Sequence, residues 1–147
     1  MTGDARRYFE DVVAGQELPP LDRPITLTTL VTYAGATWDF HRYHYDPAYV
    51  AELGFPAPLM DGQMMGALLA KVLMDWGGPD AFVRRLSYRL RAMVFAGERL
   101  VLRGRVTGTT VEAGRGLAIC ALAVAKADGT EVVRDATAAV ELPRRAG

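Results

Sequence analysis

Apolar residues recur along this chain with two different periods, and the change divides it in half. In the first half the spacing is helical. Thr28 or Thr29 can cap a short helix running to about Thr37, with Leu30, Val31, Tyr33 and Ala34 on it. Asp46-Pro47 reads as an N-cap followed by proline in the first helical turn, opening a second short helix that stops at Gly54. The longest helix is expected from about Gly62 to Trp76. Asp61 is its N-cap, Gly77-Gly78-Pro79 ends it, and Met64, Met65, Leu68, Leu69, Val72, Leu73 and Trp76 form its core face. Gly and Ala fill most of its remaining positions, so it should be buried on most sides.

In the second half the period is that of strands. Residues 82–92, 98–109, 111–126 and 130–142 are rich in Val, Leu, Ala and Thr, with glycine at the joints and Asp128-Gly129 as a hairpin turn. In the first of these, Val83, Arg85, Ser87, Arg89 and Arg91 would share one face, and Arg84, Leu86, Tyr88, Leu90 and Ala92 the other. Residues 1–24 read as irregular, broken by Pro19, Pro20 and Pro24. A buried helix followed by long antiparallel strands predicts an α+β domain, a curved sheet wrapped around the helix. One domain over residues 1–147 accounts for the whole length.

Charge narrows the possible partners. Seventeen basic and seventeen acidic residues cancel, which gives no electrostatic case for nucleic acid or an anionic membrane. No run approaches ~18 apolar residues and no apolar stretch follows the first seven residues, so neither a membrane span nor a signal peptide is expected; a cytoplasmic protein fits. Cys120 stands alone in an apolar run and reads as a buried, inert thiol.

The chemistry gathers in Thr37-Trp38-Asp39-Phe40-His41-Arg42-Tyr43-His44-Tyr45-Asp46-Pro47, which holds both histidines of the chain. Asp39 and His44, five residues apart in a loop, could grip one water between them, the minimum for adding water to a polarised double bond or removing it. Equally, His44 could be a loop residue bonded to a carbonyl and Asp39 an incidental helix-end carboxylate. His41 could steady the loop, touch substrate or simply be exposed. No dedicated metal-ligand set is apparent, so no metal is expected.

The order of elements resembles the hot-dog fold, and residues 37–66 resemble the MaoC-like (R)-specific enoyl-CoA hydratases. Asp39 and His44 match that family's catalytic pair at its spacing, Gly54-Phe55 matches a downstream Gly-Phe, and Asp61-Gly62-Gln63-Met64 falls where His-Gly-Met is expected. Tyr8-Phe9-Glu10-Asp11 with Gly15 resembles the family's N-terminal entry. His41, Arg42 and Asp61 depart from the pattern, which has Asn, Pro and His there; loops altered in this way resemble those of dehydratases acting on steroid or polyketide thioesters. The resemblance implies reversible hydration of an enoyl thioester, with Asp39 and His44 catalytic and the Gly62 N–H as an oxyanion donor. His41, Tyr43, Phe55 and Gln63 would contact substrate. It implies no cofactor beyond coenzyme A or phosphopantetheine as the substrate's own carrier. It also implies a homodimer, or a heteromer with a second hot-dog chain. Tyr33, Trp38, Tyr43 and Phe55 could line an acyl pocket or belong to the core. Arg85, Arg89 and Arg91 could meet phosphates or form local ion pairs. Asp61 is expected to cap the helix and face away from the thioester. A hot-dog thioesterase and a non-catalytic thioester-binding subunit remain the alternatives.

Overall fold

A computed structural model describes residues 6–145. The first five residues, where the signal-peptide question is partly posed, lie outside that range. A single 3-10 turn at Phe9–Asp11 leads into β1 (Glu17–Pro24). Three helices follow: α1 (Leu27–Thr37), α2 (Pro47–Glu52) and α3 (Gly62–Gly77). The chain closes with β2 (Phe82–Ser87), β3 (Arg99–Glu112), β4 (Arg115–Lys126) and β5 (Glu131–Leu142). All five strands join one antiparallel sheet in the order β1-β3-β4-β5-β2, which curves against α3.

The core follows directly from the alternation. Leu100, Leu102 and Val106 of β3 point inward, while Arg103 and Arg105 between them point out. Met65, Leu69, Val72, Leu73 and Trp76 of α3 meet them, and no polar or charged residue is buried among the described residues. Cys120 is part of this core, and burial pushes its thiol up to about 11.

Four boundaries differ from the sequence reading, each for a physical reason. The stretch read as irregular contains β1. It is an edge strand, and its register breaks between Leu18 and Leu21, so Pro19 and Pro20 sit in a bulge where no ladder N–H is required. Thr26, not Thr28 or Thr29, caps α1: its hydroxyl accepts from the Thr29 N–H at 3.1 Å. The hairpin between β3 and β4 turns at Ala113-Gly114, both with positive φ, three residues later than the expected break at 110. The strand expected over 82–92 stops at Ser87.

That early stop also breaks the expected basic face. A register shift between Val83 and Arg85 turns Val83 and Leu86 both towards the core and sends Arg84 and Arg85 both outward. Arg84 pairs with Glu141, Arg85 grips Glu112 with two bonds of 2.8 Å, and Arg91 lies 3.5 Å from Asp135. Tyr88, released from the ladder, lies over α3 instead. Its hydroxyl donates to the Gly62 carbonyl at 3.0 Å, and a Cβ on Gly66 would fall 2.7 Å from that oxygen, so glycine at 66 makes room for it.

Candidate active site

The segment between α1 and α3 carries the polar chemistry, and side-chain-to-backbone bonds hold its shape. Trp38 closes α1 in the left-handed region at φ 61, reversing the chain so that Asp39 turns back towards the protein. Asp39 Oδ1 accepts from the His41 N–H at 3.2 Å. His41 Nδ1 in turn accepts from the Tyr43 N–H at 3.3 Å, capping a 3-10 turn over Arg42–His44, and its ring stacks on Tyr43 at 4.1 Å. His41 therefore steadies the loop and is itself exposed. Downstream, Asp46 accepts from the Tyr49 N–H and pairs with Arg42, contacts that hold its carboxyl below the usual range.

His44 is fixed from behind. Its Nδ1 lies 2.8 Å from the Leu59 carbonyl oxygen, which can only accept, so Nδ1 carries a proton and the neutral ring presents its lone pair at Nε2. Leu59 is held by its own N–H bond to the Tyr43 carbonyl and by a bridge to Phe95. Nε2 stands 3.9 Å from Asp39 Oδ2. That gap is too long for a direct hydrogen bond and suits one shared partner atom.

Asp61 corrects the expectation. Its Oδ1 caps α3 by accepting from the Gln63 N–H at 2.8 Å, as the sequence implies. Yet its carboxylate does not face away: Asp39, His44 and Asp61 each place a ligand atom within 4.8 Å of the others. One imidazole nitrogen and two carboxylates form a donor set a divalent cation could use, and sequence spacing alone had shown none. The signal that could have found it was Asp61 itself, an N-cap one residue before Gly62, at the same end of the helix that the loop approaches.

A narrow cleft beside these groups, with no room for a water molecule as it stands, is lined by Leu30, Tyr33, Ala34, His44, Asp61 and Met64. Burial pushes the Tyr33 phenol up, and the nearby Asp61 and Tyr88 add to the shift. Leu30, Ala34 and Met64 look like ordinary core positions in the sequence, so nothing marked them as cleft lining. Gly62 opens α3 at the same end, and among the described residues nothing accepts from its N–H. A Cβ there would sit 3.2 Å from Leu90. Gln63 is exposed and joins the site through its backbone. Tyr43 and Phe55 are not brought to the cleft: they pack with Tyr49 and Phe95 in an aromatic cluster on the loop. Trp38 is 82% exposed and so belongs to neither core nor cleft.

A family model described as a MaoC like domain matches residues 11–125. The chain belongs to the MaoC-like family. No curated protein matches it. Among solved structures it is similar to the ChsH1-ChsH2 complex from Mycobacterium tuberculosis, with 26% identity over 89% of this chain and 98% of that one and a TM-score of 0.78. It is also similar to an (R)-hydratase from A. caviae involved in PHA biosynthesis, with 22% identity, 91% and 99% coverage and a TM-score of 0.79. The R-hydratase PhaJ1 from Pseudomonas aeruginosa matches at 23% identity over 94% and 86%, with a TM-score of 0.83. These likenesses make the curved sheet around α3 a hot-dog fold. Among the described residues no helix of this MaoC-like protein is long and apolar enough to cross a membrane.

Proposed function

We propose that the protein reversibly hydrates an enoyl thioester to a 3-hydroxyacyl thioester, with Asp39 and His44 as the acid–base pair. The observation that carries this is the pair's geometry: an imidazole locked by Leu59, its free nitrogen 3.9 Å from a carboxylate oxygen, at the end of α3. A water between them makes one hydrogen bond to Asp39 and one to His44 Nε2; only the proton facing Asp39 is transferred, and the other stays on the oxygen as the product hydroxyl. As Asp39 takes its proton, the water oxygen bonds to the β-carbon and the double-bond electrons move into the thioester carbonyl, forming an enolate. The Gly62 N–H, at the positive end of the helix, stabilises that negative charge. The α-carbon then takes up a proton relayed through the pair, and dehydration runs the same steps backwards. The thioester itself supplies the acidity, so the reading calls on no metal or organic cofactor. Coenzyme A and a carrier-bound phosphopantetheine both suit as the substrate's handle.

The protein acts as a homodimer in this reading. β1 and β2 are the edges of the sheet; β1 is interrupted by Pro19 and Pro20, so β2 is the edge better suited to pairing with a second chain. A heteromer is the second reading, favoured by the likeness to the ChsH1-ChsH2 complex and to the HadBC (3R-hydroxyacyl-ACP dehydratase) complex. Following the absorbance of the conjugated thioester with enoyl-CoAs of graded size tests the activity. Turnover of at least one is expected; a purified, folded dimer inert towards all of them would sink the homomeric hydratase. Light scattering at micromolar concentration should give twice 16.0 kDa, and a monomer would leave the edge-pairing idea without support.

A further inference from the structure

Each of the first three residues of α3 turns a backbone N–H towards the open end of the helix. The Gln63 N–H goes to Asp61 Oδ1 at 2.8 Å and the Met64 N–H to the Asp61 carbonyl at 3.0 Å. Of the three, the Gly62 N–H alone has no acceptor among the described residues. The peptide that follows it is gripped at both polar ends. Its N–H is the one Asp61 takes, and its oxygen, the Gly62 carbonyl, accepts from the Tyr88 hydroxyl at 3.0 Å. A glycine makes room for that hydroxyl: a Cβ on Gly66 would lie 2.7 Å from the Tyr88 oxygen and 3.1 Å from the edge of its ring. Leu90, two residues on, closes over Gly62 itself, 3.2 Å from where a Cβ would stand. Tyr33, which lines the cleft with His44 and Asp61, feels both Asp61 and Tyr88, so Tyr88 lies at this same end of the helix.

Resting on the reading that the Gly62 N–H stabilises a thioester enolate, we infer that Tyr88 is the positioning residue of that donor. Glycine has no Cβ to restrict its backbone, so the direction of the Gly62 N–H depends on what holds the adjoining peptide. A hydrogen bond weakens steeply as it bends, so an oxyanion donor is worth most when its direction is set before the charge develops. Asp61 holds one end of that peptide, and Tyr88, reaching across from the end of β2, holds the other. In this role the hydroxyl touches neither substrate nor reacting atoms. Its effect passes through the backbone of Gly62 and belongs to the enolate-forming step rather than to binding.

Tyr88→Phe removes the oxygen and keeps the ring over Gly66. With the enoyl-CoA that the parent turns over fastest, kcat should fall about 10-fold, less than the ~10²–10³-fold that deleting an oxyanion donor costs. KM and the melting temperature should stay close to the parent's, since the interaction acts only as the enolate forms. Gly66→Ala drives the hydroxyl off the carbonyl and should lower kcat to a similar extent. The double variant should lose no more than either single, because both remove one bond. The Gly62 amide signal in a nitrogen–proton correlation spectrum should move in Tyr88→Phe with no thioester present. Parent-like kcat in Tyr88→Phe overturns the proposal, as does a rise in KM alone, which would place the hydroxyl in ground-state binding. Losses that multiply in the double variant overturn the shared bond. An unmoved Gly62 amide overturns the positioning, and is read even if Gly66→Ala fails to fold. A parent inert towards every enoyl-CoA removes the hydratase reading and the oxyanion role with it, while the amide still reports whether Tyr88 holds Gly62, so the two failures are told apart.

Discussion

The segment from residue 27 to residue 61 and the sheet with α3 are built on opposite principles. The sheet and helix bury mainly Leu, Val, Ala and Met and no polar or charged residue among those described. The segment buries little beyond Leu30, Ala34, Val50, Pro58 and Met60. Its shape comes from directed bonds instead: Asp39 to the His41 N–H, His41 to the Tyr43 N–H, His44 to the Leu59 carbonyl, Asp46 to the Tyr49 N–H. Non-directional burial gives stability and tolerates small shifts. Directed bonds give little net stability each but fix an angle. An acid–base pair of the kind proposed needs the angle, and Asp39 and His44 sit on the segment held by directed bonds rather than in the buried core.

Mutations should therefore separate the two regions. The largest effect is expected in the core. Leu69 is fully buried on α3, and Leu69→Ala should cost about 2–5 kcal/mol of unfolding free energy. The protein that remains folded should keep its turnover. Chemical denaturation beside active-site titration checks both, and a Leu69→Ala protein with normal stability but lost turnover would reverse the comparison. Next come the paired residues. Asp39→Asn and His44→Ala should each lower hydration at least ~10²-fold, with melting temperatures close to the parent's. A variant of either kind that hydrates within a few-fold of the parent would remove the pair from the mechanism.

How much of this could be read from the chain follows the same division. The core of α3 and the late strands were legible because burial is periodic, and the period survives in the sequence. Asp46-Pro47 was legible because the cap and the fixed φ of proline act within four residues. What escaped depended on partners far away in the chain. β1 became a strand because β3 lay beside it, prolines notwithstanding. The regular ladder of β2 ended at Ser87, where Tyr88 turned to the Gly62 carbonyl 26 residues upstream. In the site, Asp39 and His44 stood out as chemistry close in sequence. The cleft lining did not, because Leu30, Ala34 and Met64 differ from core residues only in what they face. Tyr43 and Phe55, which the family resemblance implies as substrate contacts, pack against each other in an aromatic cluster beside the loop.

Asp61 belongs to both regions, which makes it the sharpest instrument for the comparison. One oxygen caps the central helix, and the carboxylate also stands within 4.8 Å of Asp39 and His44. Asp61→Ala should therefore lose about 1 kcal/mol of stability and some turnover, less than either member of the pair loses. Asp61→Asn keeps a good capping oxygen but removes the charge. It should recover the stability and leave the turnover altered. Asn restoring both quantities would show that the charge is idle and the residue purely structural. Asn restoring neither would place the effect in helix packing rather than in the cap.

The smallest effect lies in Cys120, the one titratable group buried in the core among the described residues. Cys120 sits on β4 among apolar neighbours, with its thiol pushed up to about 11 by burial. Thiolate is the reactive form, so the folded protein should resist alkylation at pH 8 and label only as it unfolds. Mass spectrometry of iodoacetamide-treated protein with and without urea checks this, and ready labelling of the native protein would mean the core opens near β4. The same shift has a consequence for stability. The unfolded chain releases the thiol proton near its ordinary value of 9.0, while the folded chain holds it to about 11. Between those values the unfolded state binds fewer protons, so stability falls as pH rises. The contribution is complete below 9.0 and is lost as the pH climbs through about 11. Cys120→Ala removes the titration and leaves a small cavity, so the variant should be the less stable protein at pH 8. The gap should narrow as the pH rises towards 11. A gap that stays constant across that range would show the thiol to be in contact with water, and the core less sealed than its packing implies.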